Sequence, residues 1–170
     1  IFYFLFKAFN RNIIKSLKQA KDENCLGIYN SIKEQMSLKS KLDLYQSEYI
    51  TSPIITGILK PAVILPALEW LEQELELLLK HELTHAKNKD IWIKWFGSLL
   101  CIVHWFNPFI WLLMKHIERW MEFACDEAVV KDMNLNQRCQ YGYVILMVLE
   151  YSQLKSKYGM CVAFCENKQN

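Results

Sequence analysis

The sequence has few residues that break regular structure and little excess charge of either sign. Its 170 residues include five glycines and four prolines, and 20 basic against 18 acidic residues leave a net charge of +2. The sequence has no low-complexity tracts or internal repeats, so its length fits one domain with a sizeable core. A nearly balanced charge does not indicate a nucleic-acid surface, and we predict no direct nucleic-acid partner.

Cysteine pairs of the Cys-x-x-Cys type are also missing, although the chain has six cysteines. Several of them lie within apolar helical runs, where cysteine packs as a small hydrophobic residue. Because the chain has ample other core material, we do not expect a disulfide framework. Reduced thiols favour a cytosolic environment.

The chain has no complete signal peptide, but its first residues are typical of the end of a membrane span. Residues 1–6 are all apolar, and five basic residues follow before the first acidic one, Asp22. This pattern is typical of the cytoplasmic end of a transmembrane helix, and an amphipathic helix of a soluble protein is the alternative. We expect a piece of a longer protein, with a transmembrane end and basic juxtamembrane segment at 1–21, a main domain at 22–155 and a tail or linker at 156–170.

Hydrophobic periodicity predicts a mainly helical α+β fold. A small sheet of two or three strands comes first, from the alternating residues 41–49 and the apolar run 62–65, with short β-branched stretches near the turn signals at 52–57. Because Pro66 closes the second of these runs, we predict edge strands. The predicted helices cover residues 22–36, 67–88, 91–105, 108–131 and 135–151.

Residues 91–114 form the most apolar part of the chain. Asn107-Pro108 interrupts them with a good helix cap and a good first helical residue. The pattern therefore predicts a hydrophobic helical hairpin. Two interpretations stay open: helices that face lipid or enter it in part, and a hydrophobic hairpin of a soluble protein.

The predicted helix 67–88 contains His81-Glu82-Leu83-Thr84-His85, an HExxH motif. Two histidines four residues apart share a helical face, so both rings can bind one zinc ion. Zinc lowers the pKa of a coordinated water to ~7, and Glu82 stands beside it as the predicted general base. The motif therefore predicts a zinc hydrolase.

A leucine stripe at helical spacing precedes the motif and, one turn further, reaches Glu82 and His85. Charged and polar groups on a buried face need partners, and a metal ion would supply one. The stripe consists of Leu68, Leu71, Leu75 and Leu78.

A catalytic zinc site takes three protein ligands and leaves one position open. Residues 86–90 contain no histidine, so the third ligand should come from a later helix. We predict Glu122, with Glu118 one turn earlier as the alternative ligand and an ordinary exposed charge as the alternative interpretation. Asp126 lies one turn later, where it can accept a hydrogen bond from the free ring nitrogen of a ligand histidine.

A working peptidase also needs a group that stabilises the developing oxyanion. Asp90 is expected to cap or ion-pair the end of the motif helix, and His104 is expected to be structural. Two residues considered for contact with the substrate also have another interpretation: Arg119 could pair with an acidic neighbour on its helix, and His116 could be structural. The candidates for contact with the substrate or transition state are Tyr141, Tyr143, His116 and Arg119.

Several motifs occur together and are far more specific as a set than HExxH alone. They are His81–His85 with Asp90, Trp105-Phe106-Asn107-Pro108, Glu122–Ala128, Ser52–Pro61 and Ile64-Leu65-Pro66. With them the chain, from about Leu42 to Lys131, closely resembles the membrane-bound zinc peptidases of bacterial beta-lactam sensor-transducers and their antirepressor relatives.

The resemblance implies a gluzincin-type minimal zinc peptidase. It implies that His81, His85 and Glu122 bind zinc, that Glu82 is the base and that Asp126 supports a zinc-binding histidine. It also implies a domain on the cytoplasmic side of a bacterial membrane that relays a signal by cleaving itself, a transcriptional repressor or both. These motifs do not include the beta-lactam sensor module of the best-known members.

Two other function classes stay open. In a catalytically inactive signalling module, the metal would only tie two helices together, although the presence of Glu82 argues against a purely structural site. A helical membrane protein without metal is the third possibility. Metal content and the effect of replacing Glu82 distinguish the three.

Overall fold

The computed structural model describes residues 18–19, 23–38, 41–57 and 61–166. The apolar residues 1–6 that suggest a membrane span lie outside these residues. The fold is α+β and mainly helical, as predicted. Its elements are β1 (Lys18–Gln19), α1 (Glu23–Gln35), β2 (Asp43–Ser47), β3 (Ile54–Thr56), β4 (Ala62–Pro66), α2 (Glu72–Asn88), α3 (Asp90–Val103), α4 (Pro108–Val130) and α5 (Leu135–Glu166).

The sheet has four strands in the order β1-β2-β4-β3, so β4 is a central strand. It pairs in parallel with β2 and antiparallel with β3. The prediction that its proline marks an edge was wrong, because Pro66 stands at the strand's end, where the pairing with β3 has already stopped. The residue after the proline supplies a backbone donor at this end of the strand, since Ala67 N–H donates to the Ser47 carbonyl at 3.1 Å. The edge strands are β1 and β3.

Helix α2 begins five residues later than the periodicity predicted. The chain turns after β4, and Leu71 precedes the first helical residue, with its N–H donating to the Glu74 carboxylate at 3.3 Å. Leu71 is exposed, so it is not part of the buried stripe. The buried face starts at Leu75 and continues into the motif.

The core lies between α2, the sheet, α1 and α5. Leu79 and Leu83 of α2 are fully buried, as are Val63 and Leu65 of β4. Val144 of α5 is equally inaccessible and belongs to the same cluster. The apolar side chains of this core hold α2 on several sides. The polar side chains in the last turns of α2 therefore have fixed positions.

Helices α3 and α4 form the predicted hairpin. Lys89, in the left-handed conformation with φ 59°, ends α2 and turns the chain into α3. The Asn107 side chain caps α4 as predicted, accepting from the Phe109 N–H at 3.0 Å. Gly97 lets the two helices pack closely, since a Cβ there would lie 2.0 Å from Met114 Cε.

None of the helices in the described part of the chain has the length and apolarity needed to cross a bilayer. Helix α5 continues to Glu166, well beyond the predicted end at residue 151.

Candidate metal centre

The motif lies on the buried face of α2, facing the N-terminal part of α3 and the middle of α4. His81 and Glu82 are buried, with 9% and 8% of their surface exposed, and His85 is partly buried. The two imidazole rings meet edge to face, and their Nε2 atoms are 3.1 Å apart. One helical face therefore presents both nitrogens to the same point.

Glu122 of α4 reaches this point from the opposite side. Its Oε2 atom lies 3.3 Å from His85 Nε2 and 3.6 Å from His81 Nε2. Donor atoms at ~2.0–2.1 Å from a tetrahedral zinc ion lie roughly 3.3 Å from one another. The spacing of the three donor atoms therefore fits a zinc ion.

Hydrogen bonds behind the rings determine which nitrogen of each histidine carries the proton. His85 Nδ1 lies 2.6 Å from Asp90 Oδ2, a pairing in which the ring donates. The Tyr141 hydroxyl donates to Asp126 Oδ1 at 2.6 Å, so it accepts from His81 Nδ1 at 2.7 Å.

Both Nε2 lone pairs consequently face each other and the Glu122 carboxylate. Three electron-pair donors at this separation repel one another unless a cation or proton lies between them. The chemistry of the donor set therefore fits a metal cation.

The pKa values show the same preference for positive charge. Burial alone would lower the pKa of His81, but hydrogen bonds with Cys125 and Glu122 outweigh it and raise the pKa to about 10. The same balance, with Asp90 added, raises the pKa of His85 to about 11. Hydrogen bonds from both histidines hold the pKa of Glu122 far below its ordinary value. Without a metal, the cluster binds protons instead.

Cys125 is a second candidate donor that the sequence reasoning missed by treating cysteine as a core residue. Its Sγ atom lies 3.6 Å from His81 Nδ1, and the donor atoms of His81, His85 and Cys125 lie within 4.8 Å of one another. Burial would raise the pKa of the thiol, but hydrogen bonds from the two histidines lower it. Its place three residues after Glu122, on the same helical face, was a signal available from the sequence.

The two candidate third donors approach the histidines from different directions. Glu122 faces the Nε2 atoms of both rings. Cys125 lies beside the Nδ1 atom of His81, which the Tyr141 hydroxyl already contacts, and its thiol donates to the His81 carbonyl at 3.3 Å. The geometry on the Nε2 side therefore favours Glu122.

Glu82 lies on the wall of a cavity of about 500 Å³ that also contains both histidines and Glu122. Burial raises the pKa of its carboxyl group. Ile54 and Ile55 of the edge strand β3 also line this cavity. Glu82 is a carboxylate with a raised pKa beside the cluster of two histidines and Glu122 that favours a bound cation. It therefore has the position and the basicity that a general base needs.

The other residues predicted from the sequence lie in different parts of the structure. Asp90, expected as a cap or ion-pair partner, is buried against His85. Glu118, Arg119 and His116 are exposed on α4 and do not line the cavity. Tyr143 is exposed, and the His104 ring contacts the Leu100 carbonyl at 3.2 Å.

Lys94 of α3 is a cavity residue that we did not single out from the sequence. Its Nζ atom lies 3.9 Å from Glu122 Oε1, the carboxylate oxygen that faces away from the histidines. A single lysine in an apolar helix carries little signal by itself, and only the packing of α3 on α4 brings it here.

Comparisons with known proteins agree with the motifs. A family model described as BlaR1 peptidase M56 matches residues 1–170. The regulatory protein BlaR1 of Bacillus licheniformis is 35% identical over 156 residues, which are 91% of this chain and 26% of that protein. The methicillin resistance mecR1 protein of Staphylococcus aureus is 26% identical over 162 residues, which are 92% of this chain and 27% of that protein. The chain thus spans about a quarter of the length of these relatives, and the predicted resemblance is confirmed.

Proposed function

The chain belongs to the BlaR1 peptidase M56 family, and on that premise we propose that it is a zinc-dependent endopeptidase domain. His81, His85 and Glu122 would bind the ion. The main support is the convergence of their donor atoms, all within 3.6 Å of one another, on a cavity wall that also contains Glu82.

Zinc bound there would act as a Lewis acid on a peptide carbonyl and would lower the pKa of a coordinated water to ~7. Glu82 would accept a proton from the attacking water and donate it to the leaving amine, which requires a carboxyl group whose pKa is raised. Asp90 and Tyr141 would hold the two histidine rings in the tautomer that leaves each Nε2 atom free.

We further propose that the domain acts in signal transduction at a bacterial membrane. The names of two relatives describe a regulatory protein and a methicillin resistance protein. The basic run after the apolar residues 1–6 supports a membrane anchor with the peptidase on the cytoplasmic side. By the resemblance given above, the substrates would be the chain itself, a transcriptional repressor or both.

The experiment that tests the proposal replaces Glu82 by Gln, which keeps size and polarity but removes the base. We expect zinc content to stay at the wild-type level while cleavage of the chain, and of a co-expressed repressor, falls by at least about a hundredfold. Mass spectrometry of the products and elemental analysis of the same samples provide the two readouts. The matched control is Glu127→Gln, an exposed carboxylate on α4, which should leave both unchanged. Cleavage that continues at the wild-type rate in Glu82→Gln would exclude this mechanism.

A catalytically inactive metal-binding module is the second candidate, and Cys125 is the observation that favours it. Thiolates are common ligands of structural zinc, and this thiol has a lowered pKa beside both histidines. In that case Glu82→Gln would change neither zinc content nor signalling, whereas Cys125→Ser would lower both zinc content and thermal stability.

A further inference from the structure

The hairpin of α3 and α4 exposes an unusual amount of apolar surface. Trp105, Phe106 and Phe109, at and beside its tip, have 70–75% of their surface exposed. Contiguous apolar surface of this kind marks an interaction site. Exposed apolar side chains further along the two helices are Trp95, Phe96, Leu99, Ile102, Val103, Trp111, Leu112 and Leu113.

The tip of the hairpin is free of formal charge, and lysines border it on both helices. The chain has no Asp, Glu, Lys or Arg between Lys94 and Lys115. Only residues 104–107 connect the two helices, and Gly97 approaches Met114, which is consistent with an antiparallel hairpin in which the two lysines lie at similar heights. At a rise of ~1.5 Å per residue, the uncharged arms are roughly 14 Å long in α3 and roughly 11 Å long in α4.

Basic and aromatic residues are concentrated around this surface. Five of the six tryptophans lie between residues 92 and 120. Tryptophan is enriched where a bilayer meets water, and anionic lipids attract nearby lysine and arginine. Glu118 is the one exposed acidic residue of the segment 87–120, because Asp90 is buried against His85. The exposed basic residues of this segment are Lys87, Lys89, Lys94, Lys115 and Arg119.

We propose that the tip of the α3–α4 hairpin inserts into the headgroup region of an anionic lipid bilayer. Lys94 and Lys115 would lie at the level of the phosphates, and the apolar arms between them would enter to a depth similar to that of interfacial amphipathic helices, which bury their apolar face by ~5–10 Å. This contact is separate from any anchor at residues 1–6 and does not depend on peptidase activity.

The contact would also set the position of the metal centre. Asp90 and Lys94, at the base of α3, line the same cavity as the histidines. From Asp90 to the end of α3 at Val103 is roughly 20 Å at ~1.5 Å per residue. A docked hairpin would therefore hold the cavity close to the membrane surface.

The test measures tryptophan fluorescence of the chain in vesicles of phosphatidylcholine and phosphatidylglycerol, with and without acyl-chain bromine as a quencher. Trp105→Phe should remove a large part of the quenchable signal. Trp70→Phe is the matched control, because Trp70 lies before α2, at the end remote from the hairpin, with its indole N–H on the Pro66 carbonyl. Trp70→Phe should raise the quenchable fraction. Equal effects of the two substitutions would overturn the proposal. The readout is local to each tryptophan, so it is independent of how other segments are anchored.

A photo-crosslinking residue in place of Phe106 identifies what covers the tip. Adducts with lipid support the proposal. Crosslinks mainly to a second copy, to another protein or to another segment of the chain would overturn it.

The charge requirement is tested with Lys115→Gln and with vesicles of phosphatidylcholine alone. Both changes should lower the quenching severalfold, while zinc content and circular dichroism stay at wild-type values. Quenching that is insensitive to both would overturn the proposed role of anionic lipid.

Discussion

The last turns of α2 and the α3–α4 hairpin depart from the ordinary burial pattern in opposite directions. In α2, two ionisable residues of the motif, His81 and Glu82, are buried. In the hairpin, which follows directly, Trp105 and Phe109 are among the most exposed side chains of the described residues. Burying ionisable groups and exposing large apolar groups to water both cost free energy. The rest of the described chain does not remove either cost.

The two regions need different kinds of partner. The buried polar groups of α2 have hydrogen-bond partners behind the rings, so what they lack is a positive charge between the Nε2 atoms. The hairpin has basic residues at its base, and the aromatic side chains at its tip stay 70–75% exposed. A small cation meets the first need and a lipid surface meets the second.

Replacing Glu122 by Ala should have the largest effect on the metal centre. Two histidines alone provide too few ligands, so we expect zinc affinity to fall by more than the ~10–100-fold typical of outer-shell changes. The measurement is zinc titration against a competing chelator. Glu118→Ala, one turn earlier on the same helix and exposed, is the control and should retain wild-type affinity. If Cys125→Ser loses zinc while Glu122→Ala keeps it, the third ligand is the thiol.

Replacing Asp90 by Asn should weaken zinc binding by ~10–100-fold, because the carboxylate that orients His85 and increases its basicity is lost. The contact is short, 2.6 Å, and buried. Asp126→Asn should have a smaller effect, since Asp126 Oδ1 is 3.4 Å from His81 Nδ1 and its short contact, at 2.6 Å, is with the Tyr141 hydroxyl. Asp132→Asn, an exposed position after α4, is the control. An effect of Asp126→Asn that equals that of Asp90→Asn would show that the relay through tyrosine is as strong as a direct contact.

Zinc binding should release protons at neutral pH. The pKa values of His81 and His85 are raised to about 10 and about 11 in the metal-free chain, so the cluster of the two rings and Glu122 holds bound protons at pH 7.5. A cation must displace these protons, and apparent zinc affinity should therefore rise as pH increases from about 6 to about 9. Calorimetry in buffers of different ionisation enthalpy measures the number released. Glu122→Gln should release fewer, because the carboxylate that stabilises the protonated rings is gone.

The parts of the site that sequence reasoning predicted are those fixed by helical spacing. The four-residue interval of His81 and His85 follows from the chain alone. A third ligand on a later helix was expected, but spacing left Glu122 and Glu118 open, and the packing of α4 on α2 brings Glu122 to the rings. The pairing of Asp90 with His85 depends on the left-handed turn at Lys89, whose geometry the sequence does not specify. Lys94 reaches the cavity only through the packing of α3 on α4.

The two errors in predicting the fold also come from tertiary contacts that local sequence does not specify. Pro66 was placed on an edge strand because proline removes a donor, yet the loss is harmless where the neighbouring strand has already ended. Leu71 fits the periodicity of α2 but precedes its first turn. Local pattern predicts the type of each element, whereas its neighbours and its ends depend on tertiary contacts.

The smallest expected effect concerns the packing of the hairpin itself. A Cβ at Gly97 would lie 2.0 Å from Met114 Cε, so Gly97→Ala forces the methionine side chain to move. Overpacking of this kind costs about 1–3 kcal/mol, against a helix-propensity gain of up to about 1 kcal/mol. Because the atoms in the way are the end of a flexible methionine, the overpacking cost lies at the low end of this range, and we expect no net gain in the free energy of unfolding. Gly27→Ala in α1 is the matched control, since no atom lies within 4 Å of its added Cβ, and it should stabilise by ~0.5–1 kcal/mol. Chemical denaturation of both variants decides the point. If Gly97→Ala were as stabilising as Gly27→Ala, the Met114 side chain would move aside without cost, and the close packing of the two helices would not be what requires glycine at position 97.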